Sequence, residues 1–265
     1  MRSRPEPPPD HVCSAFGARP VEAELLPERG AWRFGDIVLK PVGDKRHALW
    51  SAKALNHVVV PDLRIAKPVR ATDGRSIVAN WSANRYVSGT AEHRYDEVVL
   101  AAVKLHRVTV DFPRPPFLEE RTDFDSVADR MAWGEAEVQL DETNGGRWFE
   151  VLAGARRPVR LPNQVVHGDL LASMVFDGDA PPGLIDFTPY YRPAEWGVAV
   201  VAVDALIWGG ADIQLLHRWS HLPDWSQMLL RAMLFRLAAN AMNPKATRAA
   251  LDGLRAASRE VSELV

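Results

Sequence analysis

Near Ser88-Gly89 this 265-residue chain changes its hydrophobic period from about two to between three and four, so its two stretches must build different kinds of structure. From about Arg19 to Gly89, apolar runs alternate with turn signals. VEAELL and DIVLKPV are expected as paired strands around Pro27-Glu28-Arg29-Gly30, and RIAKPVRA and SIVANWSA as a second pair around Asp73-Gly74. Between the pairs, Ala48, Leu49, Ala52 and Leu55 recur at helical spacing within residues 45–57. After Gly89 the chain turns helical, beginning with EHRYDEVVLAAVKLHRV, continuing near 123–139, and filling almost everything from Ala194 to Val265. The expectation is an α+β chain of two lobes: an N-terminal antiparallel sheet with one helix over 19–89, and a larger helical lobe over 90–265.

Composition narrows the partners. A formal charge of −2 gives no electrostatic reason to expect nucleic acid. Cys13 is the only cysteine, which rules out an intrachain disulfide framework and favours a reducing compartment. The opening MRSRPEPPPD lacks the apolar segment of a signal peptide, so residues 1–18 are expected to form a flexible Pro-rich tail. The longest apolar run, Val198 to Trp208, is interrupted by Asp204 and is too short to span a bilayer. No membrane association is expected, and a cytoplasmic location is.

The chemistry concentrates in two short motifs. His167-Gly168-Asp169-Leu170 follows one apolar run, and Leu184-Ile185-Asp186-Phe187 follows another, seventeen residues beyond Asp169. Phosphoryl transfer needs a carboxylate that orients and deprotonates an attacking hydroxyl and a second that holds magnesium against the nucleotide phosphates. Two aspartates on adjacent arms of a small hairpin would meet that need.

In this order, HGDL followed by IDF resembles the catalytic loop and metal-binding motif of the aminoglycoside phosphotransferase and choline kinase families, which have a protein-kinase-like fold. The resemblance spans residue 19 to the end, but outside the motifs it is one of element order. It implies Asp169 as catalytic base, Asp186 as the main magnesium ligand and His167 as a member of the catalytic loop. Lys40, on the strand face opposite Leu39, resembles the kinase lysine that meets the α- and β-phosphates. Gly30 and Gly35 are candidates for a phosphate-covering loop, although the full glycine-rich pattern is missing. The connection from Asn80 to Gly89 is expected to form the adenine-binding hinge. Leu105-His106 resembles the family's helix that ends in Leu-His, with His106 read as a packing residue.

Two positions depart from the family pattern. The asparagine that binds a second magnesium is replaced by Ser173 when register is set on the strand SMVF, or by Met174 on a strict count. Ser173 is preferred, because strand alternation constrains register more tightly than loop length. The helix after Lys40 also lacks the glutamate that pairs with the lysine: residues 46–60 contain no acid, and Lys53 occupies that helix. Lys40 must then pair elsewhere, with Asp44 or Asp186.

Of the remaining features, ten acids against three arginines between Asp111 and Glu142 could form an acidic wall for a cationic acceptor, or a solvated helical face. In the resembling families an acidic residue on this apolar helix braces the catalytic loop, which implies a structural role for Asp204. Arg156, Arg157 and Arg160 could meet a substrate phosphate or carboxylate, with a solvated basic loop the preferred reading, and His217 and His221, four apart on an expected helix, could face one metal ion, with a surface or packing role preferred. The leading expectation is an ATP- or GTP-dependent, Mg2+-requiring phosphotransferase that acts on a hydroxyl of an unidentified small molecule. Its rival is a nucleotide-binding pseudokinase with a sensing or scaffolding role. A protein kinase is disfavoured by the lack of an Ala-Pro-Glu segment.

Overall fold

The computed structural model describes residues 6–19 and 23–265. The chain forms two compact units: one combines the stretch up to Ala91 with Ser173–Phe187, the other combines Glu92–Ala172 with Thr188–Val265. Residues 173–187, expected in the helical lobe, belong to the first unit because their strands hydrogen-bond to residues of the N-terminal stretch.

The expected flexible tail is corrected in part. Residues 1–5 lie outside the described residues, but α1 (Asp10–Phe16) is a helix closed by Gly17 at φ +70°. Val12, Cys13 and Phe16 share one helical face and are buried with Trp32, Phe34, Ile37 and Leu39. Each fully buried side chain of this size contributes roughly 1.5–3 kcal/mol. Pro9 precedes the first turn, where its missing N–H leaves no helical bond unmade.

The sheet begins as a meander of β1 (Ala23–Leu26), β2 (Ala31–Phe34) and β3 (Ile37–Pro41). VEAELL and DIVLKPV therefore do not pair directly: Ala31–Phe34 forms a strand between them. Val21 and Glu22 lie outside the described residues. β2 and β3 join through Gly35-Asp36, with Gly35 at φ +61° in the first position of a two-residue hairpin turn, where a side chain would be strained. Then come α2 (Lys45–His57), β4 (Arg64–Ile65), β5 (Pro68–Val69), β6 (Ile77–Val78) and β7 (Trp81–Arg85), giving the order β1-β2-β3-β7-β5 with β6 also on β7. The expected pairing across Asp73-Gly74 is present between β5 and β7 (Val69 opposite Ala83), and a tight β6–β7 hairpin, whose turn residues Ala79 and Asn80 both have positive φ, is added within the second segment.

The second unit starts with α3 (Tyr95–Thr109), α4 (Phe124–Trp133), α5 (Gly146–Ala153) and β8 (Gln164–His167). The chain then returns to the first unit with β9 (Met174–Val175) and β10 (Gly183–Leu184), which pair with each other, while β10 also runs parallel to β4. Gly89, at φ +117°, lies so close to Phe176 that a Cβ there would sit 2.2 Å from the Phe176 carbonyl oxygen. Back in the second unit, β11 (Pro189–Arg192) pairs with β8, and α6 (Ala194–Gly209), α7 (Gln214–Arg218), α8 (Trp225–Met242) and α9 (Arg248–Ser262) complete the chain. α6 is apolar around nearly its whole circumference and is correspondingly buried from Trp196 to Ala205, packed among α3, α8 and α9. Among the described residues, no helix is long and apolar enough to cross a membrane.

Candidate active site

In the first unit, strand alternation sends Leu39 into the core against α1 and Lys40 to the opposite face. There the Lys40 ammonium pairs with Asp186, at the end of the segment that follows β10. Of the two partners left open by the sequence, Asp186 is the one used. Asp44 instead caps α2, accepting from the Arg46 and His47 backbone N–H groups. The other Asp186 oxygen accepts from the Phe187 N–H at 3.0 Å.

α2 reaches the same segment by a route the sequence did not reveal. The buried Phe187 presents its carbonyl to two donors one helical turn apart, His47 Nε2 at 2.9 Å and Ser51 Oγ at 3.1 Å. Trp50 packs its ring 5.7 Å from that of Phe187. The far end of α2 is fixed too, since the Lys67 ammonium donates to the Leu55 and Asn56 carbonyls of the last turn, which have no intrahelical donor, and to the Val58 carbonyl just past it.

Ser173 closes a short 3-10 turn, Leu171–Ser173, and its carbonyl accepts from Ile185 N–H at 3.0 Å. The β9–β10 register (Leu184 opposite Met174) therefore places Ser173 opposite Ile185, one residue before Asp186, while Met174 is buried in the strand. Gly30 and Gly35 do not share a loop: they lie at opposite ends of β2, with Gly30 at the end nearer Lys40. Gly30, at φ +58°, ends the turn Pro27–Arg29. From that turn Arg29 donates to the carbonyls of Val87 (3.3 Å) and Gly89 (2.9 Å), in the segment expected to serve as hinge.

In the second unit, His167, Gly168 and Asp169 follow β8. Asp169 and Asp186 are thus not on adjacent arms of one hairpin, because β8 pairs with β11 and β9 with β10. His167 is fully buried, and its Nδ1 accepts the Asp169 backbone N–H at 3.0 Å. His106 does more than pack: its Nε2 accepts the His167 N–H at 3.1 Å. That role needs a neutral ring, and burial together with neighbouring His167 pushes the His106 pKa down to about 3. Gly168 is required by close approach, since a Cβ would lie 2.3 Å from the Tyr190 ring.

Asp204 reaches this loop through an intermediary. Its carboxylate grips the buried guanidinium of Arg236, whose Nη2 extends to the Gly168 carbonyl (3.2 Å) and to Asp169 Oδ1 (3.4 Å). Burial pushes the Asp204 pKa up to about 6 against the pull of Arg236. On α4, burial lifts the Asp125 pKa, with Asp123 and Asp169 adding to the rise and Arg236 and Arg121 opposing it. This ties the first turn of α4 to the loop.

Four of the ten acids of the acidic wall are paired with arginines. Asp123 chelates Arg121, Asp129 and Glu135 both grip Arg192, Glu119 meets Arg114, and Asp141 is engaged by Thr143 and Asn144. Of the basic loop, Arg156 bonds the Ala153 and Met131 carbonyls. His217 lies in α7 and His221 beyond its end, so the two do not share a helical face.

Residues 45–242 match the model of a family described as the phosphotransferase enzyme family. Among solved structures, a choline/ethanolamine kinase family protein from Mesorhizobium loti is similar over 96% of this chain and 94% of its own, at 15% identity and a TM-score of 0.59. Choline kinase from Cryptosporidium parvum Iowa II is similar over the same shares, at 10% identity and a TM-score of 0.58. A spectinomycin phosphotransferase crystallised with ADP and spectinomycin is similar over 89% of both chains, at 8% identity and a TM-score of 0.53. At such identities the likeness establishes the fold, which is the kinase-like α+β one that the motifs implied. A comparison with curated proteins returned no match.

Proposed function

The chain belongs to the phosphotransferase enzyme family, and from that premise we propose that it transfers the terminal phosphoryl group of ATP or GTP to a hydroxyl of a small molecule. The observation that carries this reading is the anchoring of Asp169. Its backbone is held by His167, its carbonyl neighbour at Gly168 by Arg236, and its own carboxylate remains about half exposed. A carboxylate held in place yet open to solvent suits a group that must meet an incoming hydroxyl.

In this reading Asp169 orients the acceptor hydroxyl and takes its proton as the oxygen attacks phosphorus. Asp186 would hold magnesium, and Ser173 stands where a second ligand would come from. The residues fit: magnesium takes one or two carboxylates and fills its remaining positions with water and phosphate oxygens, and the Asp186 carboxylate is partly exposed beside Lys40. When bound, the metal neutralises charge on the phosphates. Lys40 contributes a compact positive charge at the same place. α2 keeps the Asp186 segment in position through the Phe187 carbonyl.

The test is Asp169→Asn, which preserves shape and removes basicity. Turnover should fall by roughly a hundredfold or more while ATP affinity stays within a few-fold of the parent. An unchanged phosphotransfer rate would overturn the assignment. One observation favours the pseudokinase alternative: with register set on β9, Ser173 takes the position of the family's amide ligand. Stabilisation by ATP with no turnover on any hydroxyl acceptor would select that alternative.

A further inference from the structure

The second unit contains a cavity of about 410 Å³, within the size range of small-molecule sites, whose walls include Arg114, Arg121, Arg130, Arg192, Tyr190 and Tyr191. It adjoins the catalytic loop. Tyr190 packs its ring directly against Gly168, the residue before Asp169, and the Arg121 guanidinium lies 5.2 Å from the centre of that ring.

With four arginines against three acids, the lining of this cavity is not the acidic wall that the sequence of α4 and its flanks allows. Its three lining acids are already engaged: Asp129 and Glu135 by Arg192, and Glu119 by Arg114. A carboxylate gripped through both oxygens, as Asp129 and Glu135 are by Arg192, has little left to offer a cationic ligand. Arg192 is likewise engaged by its two carboxylates, and Arg121 has two of its five donors on Asp123.

Arg130 differs from these. Among the described residues no carboxylate lies within ion-pair distance of it, although its charge helps to lower the Glu135 pKa, and its one hydrogen bond is from Nη1 to the Arg121 carbonyl at 3.2 Å. A guanidinium has five donors, so most of those on Arg130 are uncommitted at the cavity wall. A position in the last turn of α4 favours a cation but does not require one turned toward a cavity. Arg114 adds further donors, its guanidinium stacked 5.5 Å from the Tyr191 ring centre and only one nitrogen on Glu119. Planar, weakly hydrated guanidinium groups match carboxylate and phosphate oxygens.

We propose that the acceptor carries an anionic group, carboxylate or phosphate, which Arg130 and Arg114 hold in this cavity while its hydroxyl meets Asp169. The proposal rests on the phosphotransferase reading for the fate of the hydroxyl, but not for the binding itself. Calorimetric titration of the full chain, without nucleotide, with glycerol 3-phosphate, glycerate, glycerol and choline tests the binding directly. At least one of the two anions should bind, and which one does distinguishes phosphate from carboxylate. Glycerol and choline should not. Arg130→Ala should weaken the bound anion at least tenfold, and Arg114→Ala, on an exposed residue that threatens folding less, should weaken it severalfold. No binding of either anion, tighter binding of choline, or unchanged affinity in both variants would overturn the proposal. Because nucleotide is absent, such a failure leaves the phosphotransferase reading standing. A lack of ATP stabilisation would instead sink that reading and leave the anion site intact.

Discussion

Removing the two donors that α2 offers to Phe187 should reduce magnesium-dependent nucleotide binding in a characteristic, non-additive way. Ser51→Ala deletes the 3.1 Å bond but leaves His47 on the same carbonyl, so the net loss is that of one ordinary hydrogen bond, about 1 kcal/mol. Alanine also suits the middle of a helix that is capped by Asp44 and closed by Lys67, so α2 itself should persist. In Ser51→Ala/His47→Ala the carbonyl of a fully buried residue is left with neither side-chain donor, and the desolvation penalty of an orphaned acceptor, about 1–3 kcal/mol, is added. The loss then exceeds the sum of the single losses by up to about 2 kcal/mol. If that energy is felt at Asp186, the adjacent residue, ATP affinity with magnesium should fall about fivefold in the single variant and by roughly two orders of magnitude in the double. Calorimetry of ATP binding with and without magnesium is the assay, and Ser51→Thr, which keeps a hydroxyl, should recover most of the loss. Equal weakening with and without magnesium, or strictly additive losses, would refute the reasoning that α2 acts by positioning Asp186.

Two further outcomes follow from the second unit. Burial raises the Asp204 pKa from 3.8 to about 6, so the folded chain holds this proton more tightly than the unfolded chain. Its contribution to stability is then complete below 3.8 and is lost as pH rises through 6, by about 3 kcal/mol. The difference in unfolding free energy between the parent and Asp204→Asn should accordingly shrink from pH 4 to pH 7. A difference that grows with pH would mean that Arg236, not burial, governs the carboxylate. Gly168→Ala should cost about 1–3 kcal/mol in chemical denaturation, because the new methyl meets a Tyr190 ring wedged between Trp196 and Phe235. A loss below about 0.5 kcal/mol would show that the ring can yield.

What the sequence made legible, and what it did not, is clearest in α2. Its limits, Lys45 to His57, match the segment expected from four apolar residues at helical spacing, and the structure adds the Asp44 cap that starts it. The inward face did not follow from the same residues. Leu49, counted among the core positions, is about half exposed, while Ser51 is buried and His47 is turned inward. Hydrophobic periodicity assigns polar side chains to the solvent face, so a helix that buries donors for a specific carbonyl is read as rotated. The same blindness hid Arg236, which sits in a helix buried on all sides and shows no polar face to single it out. α1 was missed for another reason: prolines on either side mask a seven-residue segment whose stability comes from burying Val12, Cys13 and Phe16 on the sheet rather than from helix propensity.

The two departures from the family motif, which look equivalent in sequence, have different structural consequences. Without an acid on α2, Ala48 and Ala52 leave a cavity of about 120 Å³ bordered by Lys40 and Asp186. Lys40 nonetheless has a carboxylate partner in Asp186, and α2 nonetheless grips the segment that carries it. The usual side-chain link from helix to lysine is thus replaced by a link from helix to the backbone beside the aspartate. No comparable replacement accompanies Ser173. Its carbonyl is committed to Ile185, Met174 beside it is buried in the strand, and no group of three or more His, Cys, Asp or Glu residues suited to a metal occurs among the described residues. A hydroxyl is a weaker magnesium ligand than an amide carbonyl. Under the magnesium reading proposed above, attenuation of activity is expected at the second metal position rather than at Lys40, as a raised magnesium requirement rather than as a loss of nucleotide binding.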